Sequence, residues 1–305
     1  MKKLIYLFLA VLIVACSGDD GNNNNQSSCP IYLDSNGITI KACEDASVGD
    51  TGVVNGVTYT VVNRDMLFEM IANNEDVSKV ATTKVTNMAN LFYNNSSFNQ
   101  PIGNWDVSNV TSMNGLFAGA TSFNQPIGDW YTRSCVNFGG MFYEATSFNQ
   151  PLPGYWLEKP LISGSDASDV PEISLNAMFM GATSFNQDIS SWVVTNVYTM
   201  SLMFNGATSF NQPIGNWSLQ GPQGLYDGTR NMSSMFYEAT SFNQDLSSWD
   251  TSNIVTMGGM FNGASSFNQD LSSWNVDNVN SCDNFNFRAD SWTLPKPNLP
   301  SSCLN

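Results

Sequence analysis

Histidine is absent from this 305-residue sequence, and charge of either sign is scarce. Lys and Arg number 11 against 26 Asp and Glu, and charged residues make up 12% of the chain, where about a quarter is usual for a soluble domain. Without an imidazole, a Ser-His-Asp or Cys-His nucleophile, a histidine general base and a His-ligated metal are excluded. A net charge of −15 also leaves no cluster of cations for phosphate contacts, which argues against nucleic acid as a partner. The low charge does not imply disorder, because a hydrophobic share of 42% is enough to bury a core. No CxxC pattern occurs among the cysteines, so no thiolate metal site is indicated, and no cofactor is expected.

Long hydrophobic runs are lacking except at the start. Lys2 and Lys3 precede the apolar stretch Leu4 to Ala15, which is short for a transmembrane helix and reads as a secretory signal. Ile13-Val14-Ala15-Cys16 and the polar Ser17-Gly18-Asp19-Asp20-Gly21 that follows resemble the processing region of bacterial lipoproteins. That resemblance implies a signal peptide at 1–15, lipidation of Cys16, a flexible tether at 16–28, and an address in the bacterial cell envelope, on the outer membrane and exposed at its surface. The membrane would be met through the lipid anchor alone.

The other cysteines suit an oxidising compartment. Cys29 and Cys43 flank two short alternating runs, Ile31-Tyr32-Leu33-Asp34 and Ile38-Thr39-Ile40-Lys41, joined by Ser35-Asn36-Gly37. A three-residue loop centred on Asn36 sets Cys29 opposite Cys43 and predicts a disulfide. Cys282 and Cys303 form the second expected pair, and Cys135 is left over.

The dominant feature is an internal repeat. Ser-Phe-Asn-Gln recurs with its phenylalanine at Phe98, Phe123, Phe148, Phe185, Phe210, Phe242 and Phe267, at spacings of 25, 25, 37, 25, 32 and 25 residues. A further 25 residues leads to Trp292, a degenerate eighth copy. Such periodicity predicts a solenoid, in which a copy cannot fold alone and is stabilised by its neighbours. Phe-Asn-Gln-x-Ile/Leu-x-x-Trp reads as a strand and a turn. Val-x-x-Met-x-x-Met/Leu-Phe has the three-to-four spacing of a short helix. The predicted fold is a leucine-rich-repeat-like α/β solenoid with one short parallel strand and one short helix per copy. A parallel β-helix-like solenoid is the alternative. Residues 29–76, with a second hairpin at Val53 to Tyr59 and a short amphipathic helix over Arg64 to Ile71, read as a cap. The repeats then span 77–294, and the proline-rich 295–305 closes the last copy.

Phe-Asn-Gln-Asp-Leu-Ser-Ser-Trp-Asp, followed by Ser-Asn-Ile-Val-Thr-Met and Met-Phe-Asn-Gly-Ala at 242–264, resembles the BspA-like leucine-rich-repeat surface lipoproteins. The resemblance covers about 77–294 and implies a lipid-anchored surface protein used for adhesion or ligand binding, with no catalytic residues to carry over.

The repeated asparagines, Asn99 to Asn268, are expected to bond copy to copy, and the tryptophans to form a buried or half-buried stack. Asp188, Asp245 and Asp270 line up as a possible Ca²⁺ row, but Pro213 interrupts it, and solvated acidic surface is the simpler reading. Recognition is expected in the inserted loops, 157–174 and 218–230, which leave the same edge of the array. Their candidate ligand-binding residues are Tyr226, Leu225, Asp166, Asp169 and Glu172. A protein or glycan ligand at the cell surface is therefore predicted, and not an enzyme. The alternatives are a surface carbohydrate-active enzyme using paired carboxylates and a purely structural envelope protein.

Overall fold

A computed structural model describes residues 30–159, 171–220 and 230–303. Two antiparallel hairpins come first. Strands β1 (Ile31–Leu33) and β2 (Ile40–Ala42) pair with Ile31 opposite Ala42. Strands β3 (Thr51–Val54) and β4 (Val57–Val61) turn through Asn55 and Gly56, both at positive φ, as a two-residue hairpin loop requires. Helix α1 (Arg64–Ala72) follows, capped by the Asn63 side chain, which accepts from the Met66 amide. Strand β5 (Val80–Ala81) then runs parallel to β4.

The first hairpin differs from the expected register. Asn36 Oδ1 accepts from both Ile38 N and Thr39 N at 2.9 Å, an Asx-type arrangement that lengthens the loop to Ser35–Ile38. Cys43 is therefore level with Pro30, its amide donating to the Pro30 carbonyl at 2.9 Å; Cys29, its expected disulfide partner, lies outside the described residues together with Cys16.

From residue 87 onward the chain is a repeat protein, built on one parallel ladder. Bridges run from Asn87 to Ser112 and on through Asn137, Ser174, Thr199, Asn231, Thr256 and Ser281. Its centre is a four-stranded parallel sheet of β6 (Ile173–Ser174), β7 (Val197–Thr199), β8 (Arg230–Asn231) and β9 (Ile254–Thr256), in that order.

The ladder corrects the expected placement of both elements. Strand pairing falls in the Val-x-x-Met segment, and Phe-Asn-Gln is not strand. No α-helix forms in any described copy; the Val-x-x-Met-x-x-Met/Leu-Phe segment is a run of turns. The physical reason lies in the backbone. Amides bond three residues back, as in Leu116 N to Met113 O and Ala118 N to Gly115 O, which reproduces helical spacing. Every fourth residue, however, is left-handed: Gly115 and Gly119 in one copy, Gly140 and Glu144 in the next, Ala177 and Gly181 after that. A left-handed residue cannot continue an α-helix. It turns alternate peptides to face the neighbouring copies instead. Met113, Gly115, Phe117 and Gly119 donate to the carbonyls of Asn137, Gly139, Met141 and Tyr143, and the same four-amide set recurs at every junction between copies.

The core is columnar. Phe98, Phe123, Phe148, Phe185, Phe210, Phe242 and Phe267 stack with centroids 5.8–6.2 Å apart. A second phenylalanine column, Phe92 to Phe261, packs 3.8–4.3 Å from the first. The tryptophans from Trp105 to Trp274 are buried, each indole N–H donating to a carbonyl of the preceding copy or, for Trp105, to Val77 O. Beside them, each Asn Oδ1 accepts the amide of the next asparagine and the side-chain amide of the next glutamine. At the far end Thr293 N and Leu294 N close this asparagine row on Asn268 Oδ1. A disulfide, Cys282 to Cys303 with Cα atoms 5.1 Å apart, ties the tail to the last copy. Leu67 and Ile71 of α1 cover the opposite end.

Candidate functional site

The first hairpin does not extend the array along its axis. It docks on its side: Ile40 N donates to Asn104 O at 2.9 Å and bridges Trp105 in parallel, while Ala42 N donates to Thr83 Oγ1 at 2.9 Å. Between the hairpin and the edge that follows the tryptophans lies a cleft of about 610 Å³. One wall is Asp34, Asn36, Ile38, Thr39 and Lys41; the other is Trp105 to Val107, Asp129, Tyr131, Arg133 and Tyr155.

Each wall is held rigidly. Asp34 and Lys41 form an ion pair at 3.0 Å. The Lys41 hydrogen bond is the largest influence holding the Asp34 carboxyl below its ordinary range. For Lys41 itself burial opposes the charged form, but Asp34 and Asp106 outweigh it and raise the ammonium above its usual value. Asp106 is buried, with Oδ2 accepting from Thr83 Oγ1 at 2.7 Å and Oδ1 from Ser108 Oγ at 2.6 Å. Tyr155 donates its hydroxyl to Gly128 O at 2.6 Å. Burial, and secondarily the Asp129 carboxylate, push its phenol upward. Tyr131 carries the Arg133 guanidinium 5.3 Å from its ring centre, and Arg133 reaches Glu158 at 3.5 Å.

Glu158 marks the root of the first inserted loop. Beside it, Lys159 turns inward, donating to the carbonyls of Thr132 and Cys135 and lying over the Phe138 ring. Burial lowers the Lys159 ammonium to about 8 and raises the Cys135 thiol to about 12. Of the residues expected to bind ligand, Tyr226, Leu225, Asp166 and Asp169 lie outside the described residues. Glu172 is exposed just before β6 and does not line the cleft.

Other expected features resolve into structure. Asp188, Asp245 and Asp270 each accept the amide of the serine two residues on, at 2.8–3.0 Å. Hydrogen bonds from that serine, its hydroxyl first at Asp188 and its amide first at Asp245 and Asp270, hold all three carboxyls below their usual range. Among the described residues no group of three or more Cys, Asp or Glu is placed to hold a metal ion. No described helix is long and apolar enough to cross a membrane.

Sequence reasoning missed Asp129, Tyr131, Arg133 and Tyr155. A signal for them existed. The position after the tryptophan is Asp106, Leu157, Val193, Ser218, Asp250 or Asn275 in other copies, so Tyr131 is a departure from the repeat. Arg133 is one of very few cations in the chain.

Compared with known proteins, the chain matches the family described as "Mycoplasma protein of unknown function, DUF285" three times in tandem, over residues 63–161, 155–227 and 226–296. The chain belongs to the DUF285 family. No curated protein and no solved structure matches it. The DUF285 matches start at the helix cap and run through the described repeats, so the Tyr131 wall of the cleft is family sequence. The opposing hairpin, Ile31 to Ala42, lies outside the matched residues.

Proposed function

We propose that this chain is a lipid-anchored cell-surface solenoid that binds a protein or glycan ligand, and that the cleft between the first hairpin and the array is its binding site. The observation that carries the reading is the pair of tyrosines in that cleft. Tyr131 and Tyr155 are 51% and 38% exposed, stand outside the aromatic core, and are held by a guanidinium and a carbonyl. Rigid amphipathic rings beside a few polar groups are what recognition sites use. The coil-to-coil bonding of the repeats supports the solenoid, and the resemblance to BspA-like surface lipoproteins supports the address. Lipidation at Cys16 would hold the chain on the envelope, with the polar stretch 16–28 as tether.

The test is adhesion of the mature chain to an array of immobilised matrix proteins and glycans. The Tyr131→Ala, Tyr155→Ala double variant should lose adhesion at an unchanged melting temperature. Adhesion that survives both substitutions overturns the cleft as binding site.

A further inference from the structure

We propose that the ligand of the cleft is a neutral oligosaccharide, its rings lying against Tyr131 and Tyr155 and its hydroxyls meeting Asn36, Thr39, Asp129 and Arg133. This rests on the reading of the cleft as the binding site. A sugar ring has an apolar C–H face and a rim of hydroxyls, so it needs an immobile aromatic plane with donors and acceptors at its edge. Both parts are present. Arg133 holds the Tyr131 ring from 5.3 Å, and the Tyr155 hydroxyl is fixed on Gly128. Asp129 is exposed and accepts no hydrogen bond from the described residues. Tyr131 does not serve the fold: it lies outside the stacked columns, and the other copies do without an aromatic after the tryptophan; Tyr155, tied to the preceding copy through Gly128 O, presents the second ring.

Charge selects against acidic glycans. Three aspartates line the cleft, and each of its two cations is already beside a carboxylate, Lys41 with Asp34 and Arg133 with Glu158. The chain as a whole carries −15, so an anionic ligand meets a repulsive field. An extended peptide is disfavoured by the backbone. Peptides that add to a sheet need a free strand edge, but the outward amides of β2 are taken, Ile40 by Asn104 O and Ala42 by Thr83 Oγ1. The volume of about 610 Å³ lies within the ~300–1,000 Å³ range of small-ligand sites and suits a few sugar units.

The experiment applies the mature wild-type chain and its Tyr131→Ala, Tyr131→Phe and Asp129→Asn variants to an array of neutral and acidic oligosaccharides, followed by calorimetric titration of each neutral hit. The expected result is binding to neutral glycans only. Tyr131→Ala should weaken it by about tenfold or more, Asp129→Asn should weaken it, and Tyr131→Phe should retain it. Preference for acidic glycans, absence of any neutral hit, or neutral binding indifferent to Tyr131→Ala overturns the proposal. Tyrosine-dependent adhesion to a protein that no neutral glycan competes away would refute the sugar while leaving the cleft as the site. Adhesion independent of both tyrosines would remove the cleft itself.

Discussion

The asparagine row makes a prediction about which atom of each side chain matters. Asn186 Oδ1 accepts from Asn211 N and from Gln212 Nε2, both at 2.9 Å, and the Asn186 amide donates to Asn149 Oδ1 at 3.0 Å. The side-chain oxygen takes the Asn211 amide and shares Gln212 Nε2 with the Asn186 carbonyl, 3.0 Å away. Asn186→Ala strands the main-chain donor and leaves Gln212 with the carbonyl alone, and should cost about 1–3 kcal/mol. Asn186→Asp keeps the oxygen and should cost much less. Aspartate would nonetheless fail as the repeating residue. The neighbouring phenylalanine column sets a copy spacing of 6.0–6.2 Å here. At about 6 Å two carboxylates repel by about 0.7 kcal/mol in bulk water and about 3 kcal/mol at an effective dielectric of about 20. The triple variant Asn149→Asp, Asn186→Asp, Asn211→Asp should therefore lose more than three single variants together, with the excess shrinking as salt is added. Urea unfolding of the singles and the triple at low and high ionic strength measures this. If Asn186→Asp is as harmful as Asn186→Ala, or the triple is additive and indifferent to salt, the acceptor-only account of the row is wrong.

Three further outcomes follow from particular contacts. Burial holds Lys159 near 8 against an ordinary 10.5, so the unfolded chain keeps this proton to higher pH. The Lys159 contribution to stability should rise between about pH 8 and 10.5 by up to about 3 kcal/mol, against the loss above about pH 9 from Cys135, whose thiol burial raises to about 12; in urea melts the wild type should gain on Lys159→Met over this window. Arg64 Nη2 donates to Ala89 O at 2.7 Å, and Arg64→Met should lower stability by about 1–2 kcal/mol, read as a shifted urea midpoint. The Cys282–Cys303 bridge closes a separation of 21 residues; Cys303→Ser should cost about 3 kcal/mol, with hydrogen exchange rising first around Trp292.

Much of the array was legible because a repeat aligns the chain with itself. Phenylalanine, tryptophan and asparagine recur where stacking and copy-to-copy bonds demand them, and the 37- and 32-residue intervals locate the insertions. The mistaken helix has a definite origin. Apolar residues at three-to-four spacing serve an α-helix and a run of three-residue turns equally, and what separates them is the left-handed residue. Glycine at 115, 119 and 140 signals it, but Glu144, Ala177 and Leu202 adopt the same conformation without any mark in their residue type. Their backbone is imposed by the ladder. The hairpin register slipped because a side-chain bond of Asn36 set the loop length. The cleft was hidden for another reason: its two walls, at residues 34–41 and 105–155, meet only in three dimensions, and Tyr131 looks like noise in a repeat until the hairpin is seen opposite it.

The ladder also gives the array a direction. The Ser112 carbonyl accepts from Met88 N while the Met113 N–H of the same peptide group donates to Asn137 O, so each such group points from one copy toward the next. Their dipoles add, as they do along a helix. The first copy is then an edge of acceptors, and Arg64 places its cation there, on Ala89 O. The last copy is an edge of donors: the amides of Cys282, Asn284, Asn286 and Arg288 have no partner among the described residues. An ordinary β-strand edge offers donors and acceptors together and so pairs with another edge like itself. Along this four-amide run, two last copies would oppose amide to amide, and two first copies carbonyl to carbonyl. The neighbouring strand runs the opposite way, with Thr111 N donating to Thr86 O and Asn280 N to Val255 O, so the polarity belongs to the run of turns, and it is there that like ends of separate molecules are kept from joining.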